Sequence, residues 1–295
     1  MENRKQQWLS MLTAEPGYYE FDRTVTLLRT FEGDGFYGEI YRQQNGKGTF
    51  QRVIMLFPKA FTGKLPGAVI PFYYPEAMMG YDPVTNEKLP YFAGIEMMIH
   101  LVKRGFAVIS GESYHLTYLP DDHSDIGDFS RWKRASAALN ADHPEWCGMG
   151  KLVADTSLLT DLFAGDERVD KEKLVIAGHS LGGKIAFYSG CLDDRFKAIL
   201  CSDFGMGFEM SNWDDPWYWG EKLNDLKEKG LDHASLLAAT GSKPICLLAG
   251  EFDTEKSGEL IRGVDDRFLF VHHATGHRPP ADALKKGYDF LESNL

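Results

Sequence analysis

The sequence predicts a single α/β domain built on a mostly parallel sheet with an antiparallel start. Three observations carry that expectation. From residue 67 onward, short apolar runs alternate with helix-length segments, the pattern that covers both faces of a parallel sheet with helices. The preceding stretch, 24–57, is β-rich instead, and an Asn45-Gly46 turn signal separates two of its runs; such a pair predicts an antiparallel hairpin. Composition agrees: 43% of the 295 residues are hydrophobic and 25% charged, which supports one sizeable core. There is no internal repeat and no low-complexity tract.

The elements follow in order. Residues 1–20 are polar, then aromatic, and form a leading helix or arm. Strands are expected at 24–30, 37–42 and 51–58, then at 67–74 (GAVIPFYY) as a buried run. Residues 94–104 read as a helix that Gly105 ends, and 106–110 as the next strand. Residues 151–163 have apolar positions at helical spacing. Residues 173–178 form a strand that leads into a helix from Ser180. Further strands fall at 197–203, 244–250 and 267–273, and a closing helix at 281–291. Two connections, 114–150 and 206–242, are longer than turns require. They read as cap- or pocket-forming insertions over the carboxyl edge of the sheet, where such folds bind ligands. The second carries Trp213, Trp217, Tyr218 and Trp219, which read either as pocket walls or as packing that holds the loop down.

The net charge of −11 argues against nucleic acid and against anionic lipid as partners, since both need a basic surface. The cysteines Cys147, Cys191, Cys201 and Cys246 have neither metal-ligand spacing nor a CxxC pair. Cys201 and Cys246 lie in strand runs and read as buried thiols; no disulfide framework is indicated. His115, His123 and His143 are scattered without ligand spacing, so no metal is expected. No phosphate loop or dinucleotide fingerprint appears, and no cofactor is expected. The first residues lack the apolar run of a signal peptide. No stretch approaches the roughly 20 apolar residues that span a bilayer. The expected location is the cytoplasm.

The chemistry centres on Gly178-His179-Ser180-Leu181-Gly182, which falls between an apolar strand and a helix. G-x-S-x-G in that context sets a serine on a sharp turn where side chains at the glycine positions would clash. The hydroxyl then projects into the cleft beside the N–H groups of the helix start. Ser180 is therefore the expected nucleophile. A base and an orienting acid should follow in the order Ser, acid, His. His277, freed by Gly276 in the loop after the last strand, is the expected base. Asp253, just beyond the strand 244–250, is favoured as the acid. Asp203, at the end of the preceding strand, is the alternative, and Glu251 a weaker third. His272 and His273 lie inside the last strand and read as structural. The oxyanion hole would use the Leu181 N–H and a second donor at Tyr73 or Tyr74; Pro75 has no N–H to give.

Taken together, the stretches 63–70, 168–205, 212–222 and 232–253 and the closing GHRPP at 276–280 resemble a known group. It is the acetyl xylan esterase-like branch of the α/β-hydrolase superfamily, near the dienelactone-hydrolase-like enzymes. The resemblance covers roughly residues 30 to 295. It implies the α/β-hydrolase fold, hydrolysis of carboxylic esters of short acyl groups such as acetyl, on sugars or small alcohols, and the triad above. Glucuronoyl esterases are similar but more distant. They carry an Arg directly after the nucleophile and a Lys three residues further; Lys184 matches the Lys, but Leu181 replaces the Arg. Lys184, on that match, and Trp213, Trp217 and Trp219, from their place in the aromatic insertion, are read as substrate-binding. Dienelactone hydrolases proper use a Cys where this chain has Ser180. The common His-Gly of the oxyanion loop is replaced by Phe72-Tyr73-Tyr74-Pro75. The expected function is a serine esterase acting on a small-molecule ester. The alternatives are a broad carboxylesterase, a glucuronoyl-esterase-like enzyme and a non-catalytic binding protein of the same fold.

Overall fold

A computed structural model describes residues 2–120, 129–262 and 267–295. Among these residues, nine strands form one sheet. They are β1 (Val25–Glu32), β2 (Phe36–Gln44), β3 (Phe50–Pro58), β4 (Leu65–Val69), β5 (Ala107–Gly111), β6 (Val169–His179), β7 (Phe196–Ser202), β8 (Ile245–Ala249) and β9 (Phe268–His272). Their spatial order is β1-β2-β3-β5-β4-β6-β7-β8-β9. β1, β2, β3 and β5 pair antiparallel, and every pair from β5 through β4 to β9 is parallel. The predicted hairpin sits at residues 45–49, closed by Asn45 N–H on the Thr49 carbonyl.

The helices are α1 (Glu2–Leu12), α2 (Met97–Lys103), α3 (Tyr114–Thr117), α4 (Phe129–Asp142), α5 (Gly148–Ala164), α6 (Leu181–Leu192), α7 (Lys222–Glu228), α8 (His233–Ala239), α9 (Glu255–Arg262) and α10 (Ala281–Ser293). Strand side chains alternate between two cores, as a pleated sheet requires. Val53, Met55, Ile109, Ile176, Ile199 and Leu247 face the layer of α1, α4, α5, α6 and α8. Ile54, Leu56, Val108, Val175, Leu200 and Leu248 face α2 and α10. Burial on both faces explains why these strands read as unbroken apolar runs.

One strand is shorter than the sequence suggests. β4 ends at Val69, and Pro71–Tyr74 turns away toward a short 3-10 turn at Pro75–Met78. Proline cannot extend a central ladder, because it has no N–H. The two insertions contain helices rather than loops alone: α3, α4 and the start of α5 in 114–150, and α7 and α8 in 206–242. No helix among the described residues is long and apolar enough to cross a membrane. All four cysteines are free and buried.

Candidate active site

Ser180 stands between β6 and α6 with φ 55° and ψ −118°. Only a few per cent of non-glycine residues hold positive φ, and the strain persists only where the surroundings over-determine it. Here Ser180 N–H bonds the Ser202 carbonyl at 2.8 Å, and Lys184 N–H bonds the Ser180 carbonyl at 3.0 Å. The neighbouring glycines are needed for space. A Cβ on Gly178 would lie 2.1 Å from the Gly182 carbonyl oxygen, and one on Gly182 would lie 2.2 Å from the Pro71 carbonyl oxygen. The elbow is thus clamped directly against the loop that leaves β4.

His277 lies in the loop after β9, where Ala274 (φ 51°) and Gly276 (φ 90°) turn the backbone. Its Nδ1 donates to Asp203 Oδ2 at 2.7 Å. The ring packs 4.5 Å, centroid to centroid, from that of His179, the residue before Ser180. The edge of Phe252 closes its other side at 4.9 Å. With Nδ1 committed to a carboxylate, Nε2 is left as the acceptor nitrogen, the tautomer a general base needs.

The acid that meets His277 is Asp203, not the favoured Asp253. Asp203 sits in a left-handed conformation (φ 43°) at the end of β7 and is fully buried. Besides His277, it accepts backbone N–H bonds from Gly250, Glu251, Phe252 and Asp253. Burial alone would raise its pKa, but the bonds from His277 and from the Asp253 and Glu251 amides outweigh burial and hold it below the usual carboxylate range. Asp253 is equally buried but turned the other way. It accepts from the N–H groups of Phe204, Gly205 and Met206 and from the Ser257 hydroxyl. Burial pushes Asp253 up despite those bonds, and the charge of Asp203 adds to the rise. Each aspartate therefore holds the loop that carries the other. Glu251 is exposed, and its amide is the part that serves the site. The rival histidines point elsewhere: His272 Nδ1 meets Glu255 and His273 Nδ1 meets Thr275.

The loop expected to hold the oxyanion, residues 71–74, is pinned from behind. Ser113 donates its hydroxyl to the Phe72 carbonyl at 2.6 Å and its N–H to the Tyr73 carbonyl at 3.0 Å. The Tyr73 N–H has no protein acceptor among the described residues. The Leu181 N–H, at the first position of α6, belongs to the orphan donors of a helix start. Tyr74 begins the 3-10 turn, and its carbonyl takes the Ala77 N–H. The Tyr73 ring lies edge-on to Phe72, His115 and Trp132, and burial raises its hydroxyl to about 12.

The residues read as substrate-binding are placed differently. Trp213, Trp217 and Trp219 are at most 3% exposed; they hold the 206–242 segment onto the core. Trp213 donates its indole N–H to the Gly205 carbonyl. Lys184 is also buried. It donates to the Phe204 carbonyl at 2.7 Å and the Ser211 hydroxyl at 2.9 Å, beneath the rings of Trp213 and Tyr218. Burial lowers its pKa to about 7, against the pull of Asp253, Asp215 and Asp203. Its role is to brace the loop that follows Asp203. His115 stacks on Trp132 at 3.9 Å, and His143 bonds Glu15. His123 lies outside the described residues.

No family model matches the chain, and no curated protein matches it. Solved structures do. A protein of Bacteroides fragilis assigned as an acetyl xylan esterase aligns with TM-score 0.73 at 15% identity, covering 92% of this chain and 74% of that one. A glucuronoyl esterase from Solibacter usitatus gives 0.71 at 15%, covering 99% and 92%. Acetyl xylan esterase 1 from Thermoanaerobacterium gives 0.61 at 13%, covering 100% and 94%. The protein has the α/β-hydrolase fold. Within that class its similarity to these carbohydrate esterases is structural, at low sequence identity.

Proposed function

We propose that the protein is a serine hydrolase of short-chain carboxylic esters, with sugar esters among its substrates. The observation that carries this reading is His277, oriented by buried Asp203 at 2.7 Å and packed against His179, whose chain neighbour Ser180 is held at positive φ. Its structural neighbours, described as acetyl xylan and glucuronoyl esterases, support ester rather than amide chemistry.

Ser180 Oγ attacks the ester carbonyl while His277 Nε2 takes its proton, and Asp203 stabilises the imidazolium that forms. The developing oxyanion is held by the Leu181 N–H and the Tyr73 N–H. His277 then protonates the leaving alcohol. Water, deprotonated by the same imidazole, releases the acid from Ser180.

The test is hydrolysis of p-nitrophenyl acetate, butyrate and octanoate by wild type and Ser180→Ala. The expected result is fastest cleavage of acetate and a loss of about 10⁴- to 10⁶-fold in kcat in the variant. Equal rates in the two proteins would remove Ser180 from the mechanism.

A further inference from the structure

With the tryptophans buried, the side chains that rim the site must be sought elsewhere. Arg278 directly follows His277 and is exposed. Its guanidinium lies over the ring of Tyr91, 4.9 Å from the centroid. Among the described residues it has no carboxylate partner. Arg104, Arg168 and Arg195, by contrast, are each held by two acids.

Tyr91 is 73% exposed, in the 3-10 turn Pro90–Phe92. A chain of aromatic contacts leads from it to the oxyanion loop: Tyr91 to Phe92 at 5.0 Å, then Phe92 to Phe72 and to Tyr74, each at 5.8 Å. Arg278 and Tyr91 are therefore on the same wall as the loop clamped to α6. The charge of Arg278 reaches the buried imidazole of His179, next to the nucleophile, although burial and then His277 do more to suppress that ring's protonation. A guanidinium stacked on a ring keeps its N–H edge free for the forked bond to a carboxylate. An unpaired cation at this place, in a chain of net charge −11, runs against the field of the whole protein.

We propose that Arg278, supported on Tyr91, is a specificity-determining residue that recognises a carboxylate on the substrate, so that the site prefers anionic esters over neutral ones. The proposal rests on the ester-hydrolase reading and deepens it.

The test compares 4-acetoxybenzoate with its neutral methyl ester, which present the same acetyl group on the same ring. The readout is the ratio of kcat/KM for the two, followed by release of the phenol. Arg278→Gln is expected to lower the anionic-to-neutral ratio about five- to tenfold, mainly through KM, the range for one well-placed ion pair. Arg278→Lys recovers part of it, and added salt erodes the wild-type ratio. Lys64→Gln, which removes a charge at the amino end of the central strand β4, leaves the ratio in place. A ratio unmoved by Arg278→Gln overturns the proposal. Failure to cleave either ester would overturn the esterase reading instead. The charge preference is then read without turnover, by calorimetry of 4-hydroxybenzoate: binding that Arg278→Gln weakens supports it, and equal or absent binding overturns it.

Discussion

Asp203 and Asp253 are 50 positions apart in the chain, and each ends its side chain in the other's loop. From sequence both are aspartates just past a central strand, and nothing in spacing separates them. Geometry does, because only Asp203 reaches His277. Asp203→Asn is expected to lower kcat about 10⁴-fold with little change in KM, by allowing the wrong imidazole tautomer. Asp253→Asn is expected to cost stability first, about 2 kcal/mol, since an amide oxygen replaces a carboxylate facing three buried N–H groups. Its kcat should fall by about tenfold or less. Urea melts and steady-state kinetics on the two variants separate the roles; a larger kcat loss in Asp253→Asn would reverse the assignment. The placement of Ser180 on a strand-to-helix turn and of His277 in the loop after the last strand, by comparison, is legible from the strand–turn–helix context and from Gly276.

Among the elements, the core strands were read nearly in place because both faces are apolar. The leading helix, the hairpin and the closing helix were also anticipated. The 67–74 run reads as longer than the strand it contains, because its apolar character continues past Pro71 while the strand ladder ends at Val69. That continuation is the loop proposed to hold the oxyanion, and it packs directly against Gly182 of α6. Gly182→Ala would drive a methyl group into the Pro71 carbonyl. The loop must then move, at a cost of about 1–3 kcal/mol. The expected readout is a kcat loss out of proportion to the drop in melting temperature, because the displaced group is the proposed Tyr73 donor. A variant with near wild-type kcat would show that the loop does not hold the oxyanion.

Over the whole molecule, the aromatic insertion was the part least legible in sequence. Tryptophan serves a pocket and a core equally well, and composition cannot say which side of a segment faces in. The long-range contacts decide it. Trp8 of α1, fully buried, stands edge-on to Tyr188 at 5.6 Å and lies 6.1 Å from Trp219. The leading helix thereby fastens the 206–242 segment to α6. Trp8→Ala is expected to cost about 3–5 kcal/mol, seen as a lower urea midpoint. It should also make residues 213–219 more open to limited proteolysis. An unchanged digestion pattern would mean that the segment holds its place without α1.

The crossed aspartates have a dynamic consequence. Seven backbone amides, those of residues 204–206 and 250–253, donate to just two carboxylates. Neither loop can lift without stripping the acceptor from the other, so the seven should not fray one by one. In native-state hydrogen exchange they are expected to share a single opening free energy and a single denaturant slope, as one cooperative unit. The orientation of the His277 imidazole then carries the rigidity of that unit, although His277 itself sits on a partly exposed loop.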